Sequence, residues 1–215
     1  MSDGNQFSVQ FWGVRGSIAV PGPKTVRYGG NTSCLEVRCG EHLIILDAGT
    51  GIRDLGYKLL PGLPVNTNIY MTHTHFDHIC GLPFFVPLFI PGNKITMWAG
   101  HLQPEYTLKQ VLTEMMMAPL FPVPPEVFQA DVDYKDFTVG DVLEPHPGVM
   151  VRTGKLNHPN QATGYRIEYE GKSICYITDT EHPEFGRDPN ILELLQSEMH
   201  LLFFLLHNHH LYYFP

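Results

Sequence analysis

The feature that most restricts this chain is the run His73-Thr74-His75-Phe76-Asp77-His78. Imidazole nitrogens and carboxylate oxygens are the ligands that a borderline cation such as zinc prefers. Four such residues, His73, His75, Asp77 and His78, fall within six positions. They follow Asn68–Met71, a short apolar segment read as a strand. A loop at a strand end tolerates irregular backbone, so side chains can converge there. His73 and His75 are two apart, and an extended chain aims such a pair to one side. Asp77 and His78 come where the chain turns, at a helix start, and need not serve the same ion. Chance clustering is a poor account, even with 12 His among 215 residues. A structural metal cage is the stronger competitor. Such cages tend to be closed four-ligand sites, often rich in Cys, whereas this cluster contains no Cys and offers more ligands than one closed site needs.

Two later residues share the same placement. His158 follows Val149–Leu156, a predicted strand, and Asp179 follows the strand Ser173–Thr178. A lone His or Asp at a strand end is ordinarily a cap or turn residue. The common placement, just after an apolar run, marks both as candidates to complete a two-metal site.

The rest of the chain supplies a scaffold of alternating and continuous apolar segments. Phe7, Val9 and Phe11 share one predicted face, as do Leu35, Val37 and Cys39. Leu43–Leu46 is a buried-strand pattern that ends in the tight turn Asp47-Ala48-Gly49-Thr50-Gly51. Ile95–Ala99 is a predicted strand. Leu108, Val111, Leu112 and Met115 recur at helical spacing within Thr107–Met117. Tyr165, Ile167 and Tyr169 alternate with charged residues, then Glu170-Gly171 turns the chain into Ser173–Thr178, a hairpin signal. Ile191–Gln196 suits a short helix. Strands with a few helices between them predict layered α/β. A single domain is expected over 1–215. Its segment 81–125, rich in Pro, Phe and Met, is read as a lid or wall over the site or an ordinary surface connection.

Composition narrows the function classes. Apolar residues make up 43% and charged residues 17%, which fits a packed protein and not a disordered one. A net charge of -8 argues against a large nucleic-acid footprint, though bound ions can make a site locally positive. Cys34, Cys39, Cys80 and Cys175 form no Cys-x-x-Cys pair and read as buried free thiols of a reducing compartment. The first residues lack a secretory signal, and Leu201–Leu206 is too short to span a bilayer. The expected setting is cytoplasmic, without membrane attachment.

The His-x-His-x-Asp-His motif, together with His158 and Asp179, resembles the metallo-β-lactamase superfamily of hydrolases. Three further segments are similar to the branch that contains cyclic-nucleotide phosphodiesterase-like and tRNase Z-like enzymes. They are Phe11-Trp12-Gly13-Val14-Arg15-Gly16-Ser17, Tyr28-Gly29-Gly30-Asn31-Thr32-Ser33-Cys34 and Leu46-Asp47-Ala48-Gly49-Thr50-Gly51. The resemblance runs over residues 7–198. It implies a four-layer αββα sandwich with two divalent ions at one edge, zinc first, manganese or iron as alternatives. By that likeness His73, His75 and His158 hold the first ion, Asp77 and His78 the second, and Asp179 bridges both. Asp47 is expected to be a buried residue that orients the His loop, a simple turn residue being the alternative. Asn31, Thr32 and Ser33 are expected near the site, without assigned contacts. Two ions about 3.5–4 Å apart can share a hydroxide and lower the pKa of its parent water toward neutrality. That hydroxide attacks phosphorus in line, and Asp77 doubles as a proton acceptor. His182 is a candidate acid for the leaving group, an exposed loop His being the blander reading.

The chain departs from the family pattern at its end. Members usually carry one more His, after a further strand, as the last ligand of the second ion. Here 199–215 has no charged residue and four His. Three readings are open: His207 replaces that ligand by a shorter route, the tail is a truncated, frameshifted or uncertainly assigned end, or it is an unrelated extension. The expectation taken is the second, with the sandwich C-terminally truncated. The expected activity is hydrolysis of a small phosphodiester or cyclic nucleotide. Nucleic acid is not the expected partner, and a homodimer is allowed. The alternatives are another enzyme on the same scaffold (thioesterase, lactonase, mononuclear-iron dioxygenase or RNA-processing nuclease) or a metal-binding protein without turnover.

Overall fold

The alternating and apolar segments assemble into two β-sheets that face one another. The computed structural model describes residues 7–181 and 186–195, and the backbone of 201–205. The first sheet contains, in spatial order, β1 (Phe7–Gly13), β2 (Cys34–Cys39), β3 (His42–Leu46), β4 (Asn66–Met71), β5 (Lys94–Ala99) and β6 (Asp131–Asp136). The first three pair antiparallel, and β3 through β6 pair parallel. The second sheet comprises β7 (Val142–His146), β8 (Val149–Leu156), β9 (Ala162–Tyr169), β10 (Lys172–Thr178) and β11 (Leu201–Leu205). It is antiparallel except that β11 lies parallel to β10.

Parallel neighbours need a crossover, and helices provide it. Between β3 and β4 runs α1 (Gly51–Leu59), which buries Ile52, Leu55 and Leu59 on the outer face of the first sheet. Burying one such side chain contributes about 1.5–3 kcal/mol. Sequence reading does not reveal this helix: Gly51 and Gly56 are poor helix formers, and only packing against the sheet offsets them. A single turn, α2 (Phe76–Ile79), follows β4. The helix predicted over Thr107–Met117 is α3 (Leu108–Met115). Thr107 caps it in a reciprocal box with Gln110, which fixes its start. On the outer face of the second sheet, α4 (Pro189–Leu195) seats Leu194 over Gly154 and Gly164.

The layers are therefore α1 and α3, the first sheet, the second sheet, and α4. This is the four-layer αββα sandwich that the resemblance implies. Alternation along the strands splits the core in two. Ile45, Ile69 and Met71 face the outer helices with Leu82, Phe85 and Leu88 of the 81–125 segment. Ile44, Leu46 and Tyr70 face Val151, Tyr165, Ile167 and Tyr176 between the sheets. The predicted hairpin is β9–β10, with Glu170 and Gly171 both left-handed (φ 51° and 70°), as a tight two-residue turn requires. Phe7 and Val9 pack against the inter-sheet core as expected, whereas Phe11 is half exposed beside a shift in the β1–β2 register. The strands β6 and β7 lie at sheet edges and are rich in charged or exposed positions, so their sequence pattern is weak. All four cysteines are free thiols. Among the described residues, no helix is long and apolar enough to cross a membrane.

Candidate metal centre

Topology brings the candidate residues to one edge. The strands β3, β4 and β5 are parallel, so their C-terminal ends share an edge of the first sheet. In the second sheet β8 and β10 both run antiparallel to β9, so their ends also coincide. Asp47 follows β3, the His loop follows β4, His158 follows β8 and Asp179 follows β10. Two hydrogen bonds pin the edges together there: Thr163 N–H donates to Thr72 O at 2.8 Å, and the Tyr165 hydroxyl donates to Met71 O at 2.5 Å.

Asp47 braces the His loop from behind. It is fully buried with a left-handed backbone, φ 60°. Its Oδ1 accepts from the Thr72 N–H at 2.8 Å and the Thr72 hydroxyl at 2.9 Å. Its Oδ2 accepts from the Tyr176 hydroxyl at 2.8 Å and lies 2.9 Å from His78 Nδ1. The orienting role expected for Asp47 is what these contacts perform, and it is more than a turn residue. The loop itself is stitched to the Asp47 turn by Ala48 N–H to His78 O at 2.7 Å and Gly81 N–H to Ala48 O at 2.9 Å. Position 49 must be glycine: a Cβ there would stand 2.4 Å from both Asp77 O and Thr32 Oγ1. Asn31, Thr32 and Ser33 belong to this support, since Thr32 and Asn31 bond Thr50 and Ser33 O accepts from Gly49 N–H.

Five of the six candidate ligands converge in two overlapping triads. The ligand atoms of His73, His75 and His158 lie within 4.8 Å of one another, and so do those of His73, His78 and Asp179. The two triads share His73. His158 Nε2 is 3.0 Å from His75 Nδ1, and His73 Nε2 is 3.8 Å from Asp179 Oδ2. Two nitrogens on one tetrahedral ion at about 2.0–2.1 Å would stand roughly 3.3 Å apart, so the spacing suits shared ligation. Asp77 is buried beside them. Its Oδ2 accepts from the Ser17 N–H at 2.6 Å and lies 3.4 Å from His78 Nε2. Asp77 falls outside both compact triads and joins the cluster through His78.

The electrostatics call for a cation. Three carboxylates, Asp47, Asp77 and Asp179, are buried at this edge. His78 Nε2 is also buried and finds no hydrogen-bond partner among the described residues, although Asp179 Oδ2 stands 2.6 Å away. An imidazole nitrogen and a carboxylate oxygen this close in the interior are both donors that a divalent ion accepts. Burial alone would lower the His78 pKa, but Asp47 and Asp179 outweigh it and push it up to about 10. His73 moves the other way: burial, then the neighbouring His78, drives it far below the usual imidazole range. A neutral His73 keeps a lone pair for a metal. The residues present therefore fit divalent ions by donor type, convergence and charge.

Four other side chains bear on the site without standing out in the sequence. Thr72 Oγ1 lies 3.1 Å from His73 Nδ1, Asn160 Oδ1 lies 3.4 Å from His75 Nε2, and Tyr176 holds Asp47. His101, just past the end of β5, puts Nε2 3.1 Å from Thr74 Oγ1, and burial, then His75, pulls its pKa down to about 4. Only the turn signal at Pro159-Asn160 was available to find one of them in advance. His182 and His207 lie outside the described residues. Leu205 in β11 pairs with Thr178, the residue before Asp179, so that strand ends at the same edge.

A two-sheet sandwich with a triad of histidines and a second triad of two histidines and an aspartate at the strand ends defines a protein of the metallo-β-lactamase fold. Residues 42–204 match the model of the beta-lactamase superfamily domain, and the chain belongs to that superfamily. It is 23% identical over 184 residues to the ribonuclease Z of Haloarcula marismortui, which covers 84% of this chain and 53% of that protein. The chain spans about half the length of the curated relatives it matches. Among solved structures, it resembles a diphosphatase from the PhnP family (TM-score 0.62, 19% identity, 92% of this chain and 73% of that one). It also resembles the zinc-bound PqqB of Methylobacterium extorquens (TM-score 0.54, 21% identity, 79% of this chain and 61% of that one).

Proposed function

We propose that this chain hydrolyses a phosphodiester, small or cyclic-nucleotide-like, at a centre of two divalent ions. His73, His75 and His158 would hold the first ion, Asp77 and His78 the second, and Asp179 would stand between them. The observation that carries this reading is the convergence of four imidazoles and Asp179 from both sheets on one edge, with His73 common to two triads and Asp77 beside His78. Zinc is the first choice of ion, in keeping with the all N and O donor set and with zinc in the structurally similar PqqB. The ions would supply Lewis acidity, polarising a phosphoryl oxygen and acidifying a water near neutral pH.

The chain's own residues do the rest. Asp47 fixes the His78 ring so that Nε2 faces the centre. The Ser17 N–H holds the Asp77 carboxylate in place by a charge-assisted bond, and Asp77 would double as the proton acceptor. Asp179 contacts both His73, which the two triads share, and His78. Similarity to a PhnP-family diphosphatase supports phosphorus chemistry, and similarity to ribonuclease Z favours a second reading, cleavage of RNA. The acidic net charge of -8 favours the smaller substrate.

The deciding experiment measures metal content of freshly purified protein together with hydrolysis of bis(p-nitrophenyl) phosphate, with and without a chelator. About two ions per chain and turnover abolished by the chelator are expected. Absence of bound ions together with absence of turnover overturns the reading. Turnover of RNA but not of the small diester moves the assignment to the nuclease.

A further inference from the structure

His75 differs from its two neighbours in which ring nitrogen it turns inward. His73 and His78 each direct Nε2 toward Asp179, and each has Nδ1 beside an oxygen of the first sheet, Thr72 Oγ1 or Asp47 Oδ2. His75 is reversed. Its Nδ1 faces His158 Nε2 at 3.0 Å, and its Nε2 points away, to Asn160 Oδ1 at 3.4 Å. Both contacts come from one turn in the second sheet.

That turn is His158-Pro159-Asn160-Gln161, closed by Gln161 N–H to His158 O at 2.9 Å. Proline at its second position and a left-handed residue at its third, Asn160 with φ 63°, make it a type II turn. Asn tolerates this backbone better than other residues with a side chain. A neutral imidazole carries one N–H and one lone pair. If Nε2 carries the hydrogen, Nδ1 presents its lone pair to an ion; the other tautomer would put a hydrogen there instead. A side-chain oxygen at Nε2 selects the first tautomer.

We infer that Asn160 is a positioning residue that fixes the ring and tautomer of His75, so that Nδ1 serves as a ligand. This rests on the reading of His75 as a ligand. One four-residue turn thus meets both nitrogens of a histidine on the opposite sheet, with one contact from a residue that would share the ion and one that orients the ring.

The turn and the oxygen can be separated by mutation. Asn160→Gly keeps the left-handed backbone and removes the oxygen, while Asn160→Asp keeps an acceptor in the same place. In competition titrations with zinc, Asn160→Gly is expected to weaken binding of the first ion by about 10–100-fold, and Asn160→Asp to stay within about three-fold of wild type. Histidine ¹⁵N spectra of the chelated protein provide a readout free of metal and turnover. The Nε2–H tautomer of His75 is expected to dominate in wild type and Asn160→Asp, and to give way to a mixture in Asn160→Gly. A glycine variant with wild-type zinc affinity and an unchanged tautomer overturns the inference. If wild type binds no ion, the proposed function fails, and the ¹⁵N spectra alone still decide the role of Asn160.

Discussion

Asp47 and Asp179 occupy matching places in the two sheets. Each follows an apolar strand, β3 or β10, each is buried, and each has a left-handed backbone, φ 60° and 48°. Their neighbours differ. Asp47 is met by a backbone N–H, two hydroxyls and the outward nitrogen of His78. Asp179 accepts from the Thr178 hydroxyl and faces the inward nitrogens of His73 and His78. The same residue on the same kind of turn becomes an internal brace when protein donors surround it. Facing the inward nitrogens of His73 and His78 instead, it is placed to serve as the metal ligand proposed above.

The comparison can be broken by experiment, on metal-free protein first. Asp47→Ala should be the most damaging change, because it leaves Thr72 N–H, the Tyr176 hydroxyl and His78 without their acceptor. A loss of about 3–5 kcal/mol is expected in urea unfolding, and a loss under about 1 kcal/mol would end the claim that Asp47 is a brace. Next comes His101, a buried group with no carboxylate named against it. Its folded pKa of about 4 lies below the ordinary 6.5, so the unfolded chain binds the extra proton first. Its contribution to stability is present above about pH 6.5 and falls away toward pH 4, by up to about 3 kcal/mol. Unfolding curves across that window should flatten in His101→Gln; an unchanged slope would remove His101 from the account.

Tyr176→Phe should cost about 2 kcal/mol, as expected for a hydrogen bond to a charged acceptor. The control is Tyr70→Phe, since the buried Tyr70 hydroxyl has no hydrogen-bond partner among the described residues, and this change should be neutral or slightly stabilising. Equal costs for the two tyrosines would show that ring packing, not Asp47, sets the value. Asp179→Ala should have the smallest effect on chelated protein, under about 1 kcal/mol, because relief of a buried charge offsets the lost contacts. Its mark should appear in elemental analysis, as loss of bound metal. Destabilisation as large as that of Asp47→Ala would erase the distinction between the two residues.

The parts legible in the sequence are those with strong local patterns. The His loop, β3, β4, β8, the β9–β10 hairpin and α3 carry continuous apolar runs, tight periodicity or turn chemistry. His158 and Asp179 were reachable only because both follow apolar strands, and the structure brings both to the His loop. The helix α1 was not legible because its two glycines make sense only against the sheet. Edge strands β6 and β7 have no buried residue and lack a clean apolar pattern. The contacts of Tyr176 and Asn160 depend on pairings across the sheets, and that of Ser17 on a partner 60 residues away, for which a linear sequence has no signal.

The pairing of Asp47 with Tyr176 spans 129 residues, and that of His75 with His158 spans 83. Contacts this distant in sequence close late, because the chain must first give up the entropy of large loops. The loop His73–His78 by itself holds only part of the ligand set. With Asp179 in the proposed ligand set, a chain still emerging during synthesis could not assemble the whole site before β10 has been added to the second sheet. If the proposed ligands do hold ions, loading would report on complete folding: a chain carrying metal there would already have docked one sheet on the other, and free metal in excess would draw the population toward that docked state.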